Sequence, residues 1–495
     1  MLIRELASSV LLSRVIGDEN TAIAGVTADS RQVNPGDLFI CVPGYTVDGH
    51  DFAQEAAGKG AAALVVEREL PVPVPQLIVK DARRAMAVIA SKINGYPSRE
   101  MKVIGVTGTN GKTTTTALIE RILSDVGYRT GLMGTIRIKI GDEIKSSKNT
   151  TADALYLQHA MRSMLEAGTD YCVMEVSSHA LEQGRVLGVD FRTALFTNLT
   201  QDHLDFHGTM ENYAAAKELF FSRLGNAAEP PESGAKFAVL NADDPAHAKY
   251  KRATAAETIL YGIDNEADVR AKNIRMSARG TSFRLETFAG HAEINMNLIG
   301  KFNVYNVLGA VAATLAERLP LSAIVGSLES ISGVEGRVEP VDAGQPFAVL
   351  VDYAHTPDGL LNVLNTVNEF ARGRVITVFG CGGDRDRTKR PVMGRIAAEK
   401  SDHVIVTSDN PRSEDPESIM REIEEGVLAA GLDRNRCEMI ADRRRAIQKA
   451  VEMANPEDVV LIAGKGHETY QIIGGVTYDF DDREVAKEAI RGASI

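Results

Sequence analysis

Short apolar runs alternate with amphipathic helical patterns along this chain, which predicts an α/β fold. Breaks in the pattern divide it into three predicted domains, 1–97, 98–333 and 334–495, and Ser332–Gly336 is the predicted linker before the last of them. In the first domain, helical patterns at Asp51–Gly58 and Asp81–Asn94 each lie beside an apolar run. We therefore expect several layered α/β units in one chain.

The stretch Met101–Thr116 dominates the second domain. Its apolar positions end at a loop, Thr107–Gly111, and Lys112 then opens a helical pattern with four threonines. This order predicts a strand, a phosphate-binding loop and a helix N-terminus, where backbone N–H groups and the helix dipole favour an anion. The strict motif has glycine at the position of Val106, so we predict a variant of this loop, with the Thr113 hydroxyl placed to meet magnesium.

Further along this domain, a long strand is predicted at Arg129–Ile140 and a buried strand at Tyr171–Val176. Glu175 closes the second strand, and an acidic residue there suits a magnesium ligand. His203 and His207 are four residues apart, a spacing that holds zinc when it lies on a helix. Since Gly208 and the turn-like composition disfavour a helix, an oxygen-ligand metal site is the preferred interpretation.

Two other segments carry little signal of their own. Lys217 lies in an amphipathic helix, and its residue type alone predicts a surface lysine. Asp29, Ser30 and Arg31 fit an ordinary hydrogen-bonded turn.

Four strands are predicted in the third domain: Phe347–Asp352, Arg374–Phe379, His403–Thr407 and Val459–Ala463. Helices between them imply a parallel sheet. Polar loops follow these strands: Tyr353–Pro357, Gly380–Arg387, Asp409–Arg412 and Gly464–Glu468. Ligands of open α/β sheets bind at the carboxyl edge, so a site is predicted there.

Composition narrows the class of function. The 495 residues are 44% hydrophobic and 25% charged, with a net charge of −12, which argues against a nucleic-acid partner. The four cysteines are far apart and form neither a disulfide framework nor a zinc motif, as in a reducing compartment. No apolar run is long enough to predict a signal peptide or a membrane span, so we expect a cytoplasmic protein.

Nine motifs occur in one order: GTNGKTT, EVSSHAL, TNLTQDHLDFHG, AAAKELFF, GVEGRVE, DYAHTPD, GCGGDRDRTKRP, DNPR and GKGHETYQ. In this set the chain resembles the Mur ligase family along nearly its whole length. The resemblance implies three domains, a UDP-muramoyl substrate-binding domain, a central ATP-binding domain with a P-loop ATPase-like parallel sheet, and a Rossmann-like C-terminal domain that binds an amino acid. It also implies a monomer that uses ATP and Mg²⁺.

The implied reaction joins an amino acid to UDP-N-acetylmuramoyl-L-alanyl-D-glutamate through an acyl phosphate, in peptidoglycan precursor synthesis. The family's arginine in DNPR implies that the amino acid is meso-2,6-diaminopimelate, since lysine-adding relatives lack it. The resemblance further implies that Lys217 is carbamylated and binds magnesium, against its residue-based interpretation as a surface lysine.

Residue roles carry over position by position. Implied catalytic and metal-binding positions are Lys112, Thr113, Glu175, His203 and Lys217. ATP contacts are implied for Gly108, Thr109, Asn110, Gly111, Lys112, Thr113, Thr114, Asn303, Arg337 and Asp352. The UDP-muramoyl dipeptide is implied to contact Ser30, Asn149, Thr150, Thr151, Ser177, Gln183 and Arg185, whereas around Tyr45 the family pattern gives no match. Diaminopimelate contacts are implied for Arg385, Asp409, Asn410, Pro411, Arg412, Gly464 and Glu468.

Other functions remain open at this stage. Within the family these are a ligase that adds lysine and one that elongates folate polyglutamate. Outside it, a P-loop kinase or ATPase could act on a small hydroxyl acceptor, and a non-catalytic nucleotide-binding scaffold could use the same loop. The polar loops of the third domain count against a scaffold, which has no use for them.

Overall fold

Strands alternate with helices throughout the computed structural model, which describes residues 1–44, 47–147, 149–225, 234–277, 280–331, 333–334 and 336–493. The chain divides into two units, Met1–Val269 with Leu308–Pro320 and Arg270–Val307 with Leu321–Ile495. The α/β class predicted from the sequence is confirmed. The three domain boundaries stay a prediction, and Ser332 and Glu335 of the predicted linker lie outside the described residues.

The first unit begins with a small sheet and continues into a larger one. Its elements are α1 (Ile3–Ala7), β1 (Ser13–Ile16), β2 (Gly25–Thr27), β3 (Asp37–Ile40), α2 (Ala53–Gly58), β4 (Ala63–Val66), β5 (Gln76–Val79), α3 (Ala82–Ile93), β6 (Lys102–Thr107), α4 (Lys112–Asp125), β7 (Thr130–Met133), β8 (Arg137–Ile140), β9 (Glu143–Ser146), α5 (Ala154–Glu166), β10 (Tyr171–Glu175), α6 (Ser178–Glu182), β11 (Thr193–Phe196), α7 (Leu204–His207), α8 (Met210–Ser222), β12 (Phe237–Asn241), α9 (Ala246–Ala253) and β13 (Glu257–Gly262).

The small sheet has the strand order β1-β5-β4-β3-β2, in which only the β1–β5 pair is antiparallel. Helix α3 is capped by the preceding residue, Asp81, whose side chain accepts a hydrogen bond from the Arg84 N–H. The alanine-rich face of α3 packs into the core beside this sheet. Its residue Ser91 also donates to the Gly188 carbonyl at 3.2 Å, which ties the first 97 residues to the segment between α6 and β11 of the same unit.

The larger sheet has eleven strands, in the order β16-β15-β14-β13-β12-β11-β6-β10-β7-β8-β9, of which β13 to β9 in this order belong to the first unit. Strands β6, β10 and β11 are parallel neighbours, with Glu175 opposite Val106 and Phe196 opposite Thr107. Because these pairs lie at the carboxyl ends of the strands, the loops that follow all begin at the same edge.

The long strand predicted at Arg129–Ile140 is wrong. The segment folds into two antiparallel strands, β7 and β8, with Leu132 opposite Lys139. The chain reverses at Gly134, whose N–H donates to the Arg137 carbonyl at 3.1 Å and which has no room for a side chain beside Glu175. An apolar run alone does not reveal such a reversal, because the residues on both sides of it are strand formers.

The second unit contains the remaining elements. They are β14 (Val269–Ser277), β15 (Gly280–Thr287), β16 (Gly290–Met296), α10 (Lys301–Ala316, which contributes to both units), α11 (Leu321–Ser330), β17 (Glu339–Pro340), β18 (Ala348–Asp352), α12 (Pro357–Phe370), β19 (Val375–Phe379), α13 (Lys389–Lys400), β20 (His403–Thr407), α14 (Pro416–Ala429), β21 (Cys437–Ile440), α15 (Arg443–Glu452), β22 (Val459–Ala463), β23 (Tyr470–Ile473), β24 (Val476–Asp479) and α16 (Asp482–Gly492).

A sheet of order β17-β18-β22-β19-β20-β21 organises this unit, and all its pairs except β17–β18 are parallel. Two cores cover its faces, one beneath α12, α13 and α14 and the other beneath α15 and α16. The four strands predicted here are confirmed to within one residue at each end. Their following loops leave one edge of the sheet, as the parallel arrangement requires.

No helix in the described ranges combines the length and the apolar character needed to cross a membrane.

Helices α13 and α14 touch through two glycines. A Cβ on Gly394 would collide with the Ile423 carbonyl, and a Cβ on Gly426 would collide with the Pro391 carbonyl. The two backbones can therefore approach closely only because neither position has a side chain.

We expect Gly426→Ala to lower the free energy of unfolding by about 1–3 kcal/mol, because the added methyl group forces the two helices apart. Urea unfolding followed by circular dichroism measures the change. Gly326→Ala is the matched control, since Gly326 lies in α11 with nothing within 4 Å of its Cβ position. There the better helix propensity of alanine should stabilise by up to about 1 kcal/mol. Equal stability of Gly426→Ala and wild type would contradict this account of the α13–α14 contact.

Candidate active site

The strand, loop and helix predicted around Gly108–Gly111 are present as β6, the loop and α4. Gly108 and Gly111 have φ angles of +149° and +83°, and a Cβ on Gly108 would overlap the Thr197 hydroxyl. Both glycines are therefore required by the loop's shape. The loop lies at the N-terminus of a 14-residue helix, which makes it suited to bind the phosphates of a nucleotide.

The segment after β11 fixes the loop from the neighbouring strand. Thr197 Oγ1 donates to the Asn110 carbonyl at 2.6 Å, and the Asn110 N–H donates to Asn198 Oδ1 at 2.9 Å. Thr109 adds a second connection, because its hydroxyl donates to the Thr200 carbonyl at 3.1 Å and receives the Thr200 N–H at 3.0 Å. The loop is thus held in one conformation by hydrogen bonds to a second loop.

Two lysines converge on the Gly108 carbonyl. Lys112 Nζ donates to it at 2.9 Å and also to the Thr109 carbonyl at 2.8 Å. Lys217 Nζ donates to the same Gly108 oxygen at 3.0 Å and lies 4.5 Å from the centre of the Tyr213 ring. The sequence motif of the loop identified Lys112, whereas only family resemblance drew attention to Lys217.

Lys217 is 1% exposed, so its residue-based interpretation as a surface lysine is wrong. On α8 it shares the buried face with Tyr213, Ala216 and Phe220, at helical spacings of three and four residues. Burial, together with repulsion from Lys112, lowers the pKa of Lys217 well below its ordinary value of 10.5. The site therefore contains a buried amine for which the charged form is costly.

Glu175 is a buried carboxylate at the end of β10. Its Oε1 accepts the Thr135 N–H at 2.7 Å, and its Oε2 accepts the Thr135 hydroxyl at 3.0 Å. Within the described ranges no cationic side chain forms an ion pair with it. A fixed carboxylate with spare lone pairs suits a hard divalent cation, and the hydroxyl of Thr113 in the first turn of α4 is an oxygen ligand of the same kind. The residues present thus fit magnesium.

His203 has a left-handed φ of +54°, and its Nε2 lies 3.4 Å from Asp202 Oδ2. Burial lowers its pKa, which favours the neutral ring that can bind a metal. His207 Nε2 instead forms a 3.0 Å hydrogen bond with Ser178 Oγ. The described residues contain no group of three or more His, Cys, Asp or Glu side chains placed to hold a metal ion.

Most of the residues matched to the sugar-peptide acceptor lie next to Glu175. Thr151 Oγ1 donates to the Glu175 carbonyl at 2.9 Å and accepts the Ser177 N–H at 3.0 Å. Arg185 Nη1 donates to the Thr151 carbonyl at 2.8 Å, and its Nε and Nη2 both donate to Gln183 Oε1. These side chains form one continuous hydrogen-bonded group.

Three other residues matched to the sugar-peptide acceptor lie outside this hydrogen-bonded group. The hydroxyl oxygens of Thr150 and Thr135 lie 3.1 Å apart, within hydrogen-bond distance, and the Asn149 carbonyl accepts a hydrogen bond from Ser147. Ser30 lies in a turn after β2, where Lys59 Nζ donates to its carbonyl. Hydrogen bonds from Arg31 lower the pKa of the neighbouring Asp29 to about 2, as the turn interpretation expects. Tyr45 lies outside the described residues.

The positions matched to adenine and ribose lie in or near the second unit's sheet. Asp352 ends β18, and its two oxygens accept the N–H groups of Val338 at 2.8 Å and Ala354 at 2.7 Å. Burial raises the pKa of Asp352, while Arg337 opposes the change. Asn303 is fully buried on α10 and donates to the Ile299 carbonyl, so its implied adenine contact stays a prediction.

Three of the predicted polar loops of the second unit interlock at the sheet edge. Asn410 Nδ2 donates to Glu468 Oε2 at 2.8 Å, and the Asn410 carbonyl accepts the Gly383 N–H at 2.9 Å. Arg412 has a φ of +54° and donates through Nη1 to the Gly383 carbonyl at 2.7 Å. Arg385, by contrast, is exposed and donates to the adjacent Asp384 carbonyl.

Two features of this edge suit a ligand that carries an ammonium group. Asp409 is buried, and its Oδ2 lies 2.6 Å from the position a Cβ would occupy on Gly464, so only glycine fits there. The same Oδ2 accepts no hydrogen bond from any described residue. A buried carboxylate oxygen without a donor is costly unless a ligand supplies one.

Sequence reasoning missed Lys465. It is 0% exposed, and its Nζ donates to Asn410 Oδ1 at 3.2 Å and to Glu468 Oε2 at 3.0 Å. It missed Thr135 and Gln471 as well, of which Gln471 donates to the Asp409 carbonyl at 2.7 Å. In the sequence, Lys465 lies in a polar loop that contains glycines. Only the nearness of two acidic positions, Asp409 and Glu468, could have indicated that this lysine is buried.

Three family sequence models match the chain in succession. They are the Mur ligase family, catalytic domain, at residues 22–100, the Mur ligase middle domain at 106–314, and the Mur ligase, glutamate ligase domain, at 336–466. A UDP-N-acetylmuramoyl-L-alanyl-D-glutamate–2,6-diaminopimelate ligase from Bacillus cereus is 52% identical over 478 residues, 97% of this chain and 96% of that protein. The chain belongs to the Mur ligase family.

Solved structures agree with this assignment to the Mur ligases. The structure of a UDP-N-acetylmuramoyl-L-alanyl-D-glutamate–2,6-diaminopimelate ligase is 34% identical, covers 99% of both chains and has a TM-score of 0.72. A Thermotoga maritima Mur ligase crystallised in complex with ADP has a TM-score of 0.61 at 19% identity over 96% of this chain and 97% of its own, and shares the fold. The three-domain α/β architecture implied by the motifs is thereby confirmed.

The buried lysine of this Mur ligase gives a pH-dependent prediction. With its folded-state pKa lowered, Lys217 binds fewer protons in the folded than in the unfolded chain, so it reduces stability as the pH falls below 10.5 towards the folded-state pKa. Lys217→Met removes this effect. The variant should therefore gain free energy of unfolding over wild type near pH 7, and the gain should shrink near pH 10.

Urea unfolding in buffer free of magnesium and bicarbonate measures both differences. Lys251→Met is the control, since Lys251 is exposed on α9 and should show no such trend. A Lys217→Met difference that is independent of pH would mean that the folded chain keeps the ammonium form of Lys217.

Proposed function

We propose that this ligase adds meso-2,6-diaminopimelate to the D-glutamyl side-chain carboxylate of UDP-N-acetylmuramoyl-L-alanyl-D-glutamate with the use of ATP. It would act as a monomer in the cytoplasm, in the synthesis of peptidoglycan precursors. The observation that carries the proposal is the interlocked group of Asn410, Arg412 and Glu468, on a chain that is 52% identical to a ligase named for this reaction.

The proposed chemistry has two steps. A carboxylate oxygen of the acceptor attacks the γ-phosphorus of ATP, the bond to the bridging oxygen breaks, and ADP leaves. The amine of the amino acid then attacks the acyl carbon, loses a proton, and displaces inorganic phosphate. Each step brings two anionic or electron-rich groups together, so charge neutralisation is the main task of the residues.

In the first step, Gly108–Thr114 would cradle the triphosphate and Lys112 would neutralise its terminal oxygens. Lys112 Nζ already lies at the loop, 2.9 Å from the Gly108 carbonyl, so a phosphate placed on the loop is within its reach. Asn303, Arg337 and Asp352 would contact the nucleoside and phosphate. Residues 149–151, together with Ser30, Ser177, Gln183 and Arg185, would hold the acceptor.

Thr113, Glu175, His203 and the carbamate of Lys217 would hold magnesium, which supplies electrostatic stabilisation of phosphate oxygens when bound. The carbamate requires the neutral amine to attack carbon dioxide, forming an N–C bond and releasing a proton. The buried position of Lys217 and its lowered pKa support this proposal. Carbamylation would convert the repulsion between Lys112 and Lys217 into attraction.

In the second step, Arg412 would bind the far carboxylate of diaminopimelate, and Asp409 and Glu468 would accept hydrogen bonds from ammonium groups. Arg385, Asn410, Pro411 and Gly464 complete the proposed contacts. Lysine lacks the far carboxylate and would leave the Arg412 guanidinium without an anion. We therefore expect a preference for diaminopimelate on the order of 10³-fold or more, typical of sites built around a polar group that the analogue lacks.

Phosphate release with the UDP-muramoyl dipeptide, ATP and each amino acid in turn tests the proposal. Release that depends on meso-diaminopimelate, with formation of the amide, is the expected result. Comparable rates with L-lysine would contradict the substrate assignment. Release without any amine would instead indicate an ATPase or kinase.

Lys112→Ala should reduce turnover by roughly 10²–10³-fold or more, the scale for loss of one preorganised electrostatic group. Steady-state phosphate release at saturating substrates measures it, with thermal unfolding as the check that the fold survives. Lys145→Ala, on the exposed strand β9, is the control and should leave turnover unchanged. Near-normal turnover of Lys112→Ala would remove this lysine from the mechanism.

Arg412→Ala should raise the KM for meso-diaminopimelate sharply while it spares the KM for ATP, because the far carboxylate loses its partner and the hydrogen bond lost with it, to the Gly383 carbonyl, also lies within the amino-acid site. Arg421→Ala serves as the matched control, since Arg421 is an exposed arginine on the following helix α14. An unchanged KM for diaminopimelate in Arg412→Ala would show that another group recognises the carboxylate.

A further inference from the structure

A buried arginine connects the two strands that carry the proposed amino-acid loops. Arg443 is the first residue of α15, and its side chain is 0% exposed. Its Nη1 donates to the Ser408 carbonyl at 3.4 Å, and its Nη2 donates to the Ala463 carbonyl at 3.0 Å. Ser408 directly precedes Asp409, and Ala463 directly precedes Gly464, so both contacts lie at the bases of these loops.

The guanidinium is itself fixed by a bidentate ion pair. Nε donates to Asp482 Oδ1 at 2.8 Å and Nη2 donates to Asp482 Oδ2 at 2.7 Å. Asp482, the first residue of α16, is also 0% exposed. A paired fork of this kind holds its planar group in one orientation, so the remaining N–H donors point in fixed directions.

The sheet alone leaves these two loop bases one strand apart, because β19 lies between β20 and β22. The residue after β19 is Gly380, where a Cβ would overlap the Thr407 carbonyl. At Gly380 the chain after β19 therefore has no side chain. Arg443 spans the ends of the two flanking strands, a distance that backbone pairing does not bridge.

Nearby acidic side chains stabilise the charged form of Arg443. Although burial works against it, attraction from Asp482, and also from Asp409 and Glu468, raises the pKa of Arg443. Both Asp409 and Glu468 belong to the proposed amino-acid site. The buried cation is thus attracted by these carboxylates, yet its side chain has no exposed surface with which to touch a substrate.

We infer that Arg443, held by Asp482, positions the 409–412 and 464–468 loops relative to each other for amino-acid binding. This inference rests on the proposed function for its catalytic readout. Arg443 is a positioning residue, since its hydrogen bonds reach only loop-base carbonyls and Asp482. Misplacement of a binding group by about 1 Å can cost on the order of 10²-fold, so loss of the bridge should be visible in substrate binding.

The test removes both charges together. In Arg443→Met/Asp482→Leu no unpaired buried charge is left, and such replacements are often tolerated in stability. We expect the KM for meso-diaminopimelate to rise on the order of tenfold or more, with the KM for ATP unchanged. Hydrogen exchange should become faster in peptides that contain 409–412 and 464–468, while strand β19 keeps its protection. Arg374→Met, which breaks an ion pair with Asp458 at the opposite edge of the same sheet, should change neither.

Other results overturn the inference. An unchanged KM for diaminopimelate together with unchanged exchange would show that the loops are positioned without Arg443. A fall in turnover that follows the loss of thermal stability, with every KM and the exchange pattern unaltered, would show a merely structural ion pair. If wild type does not consume diaminopimelate, the proposed function fails instead, and hydrogen exchange alone decides whether Arg443 orders the loops.

Discussion

The carbonyl oxygen of Gly108 accepts hydrogen bonds from both Lys112 and Lys217, and the chemistry of the first unit depends on this shared acceptor. Two ammonium groups around one oxygen repel each other, and burial makes the charge on Lys217 costly. The pKa of the buried amine is therefore lowered. The Gly108 carbonyl thus contacts two lysines of different character. Lys112 is a cation suited to phosphate oxygens, and Lys217 is a buried amine on which a charge is costly.

The direction of that carbonyl follows from sheet topology. Gly108 packs so closely against Thr197 that no side chain fits, and the loop after β11 holds Asn110 on both sides. Both contacts require β6 and β11 to be adjacent and parallel, as they are. Strand β10, on the other side of β6, brings Glu175 to the same edge. In the second unit, too, neighbouring parallel strands end at the same edge of the sheet, which brings the loops after β19, β20 and β22 together. Hydrogen bonds between these loops then fix their relative positions.

Sequence patterns predicted those elements that are defined by residues close together in the chain. The strand His403–Thr407 was found at its observed limits because five apolar-rich residues lie between polar loops. The phosphate-binding loop was recognisable because its glycines and lysine are adjacent in the chain. Lys217 was misplaced, since its burial depends on Tyr213, Phe220 and a carbonyl 109 residues away. Thr135 and Arg443 were missed for the same reason, because their partners are strand ends and helix starts brought together only by the fold.

In the proposed reaction, this chain activates a carboxylate by transferring phosphate to it and then forms an amide. Labelling the D-glutamyl side-chain carboxylate of the acceptor with ¹⁸O tests it most directly, because the oxygen that attacks phosphorus remains on the phosphate that leaves. Mass spectrometry of the inorganic phosphate released with ATP and meso-diaminopimelate should find one ¹⁸O atom transferred per amide formed. Released phosphate without ¹⁸O would contradict the account, since it would mean that water rather than the carboxylate attacks ATP.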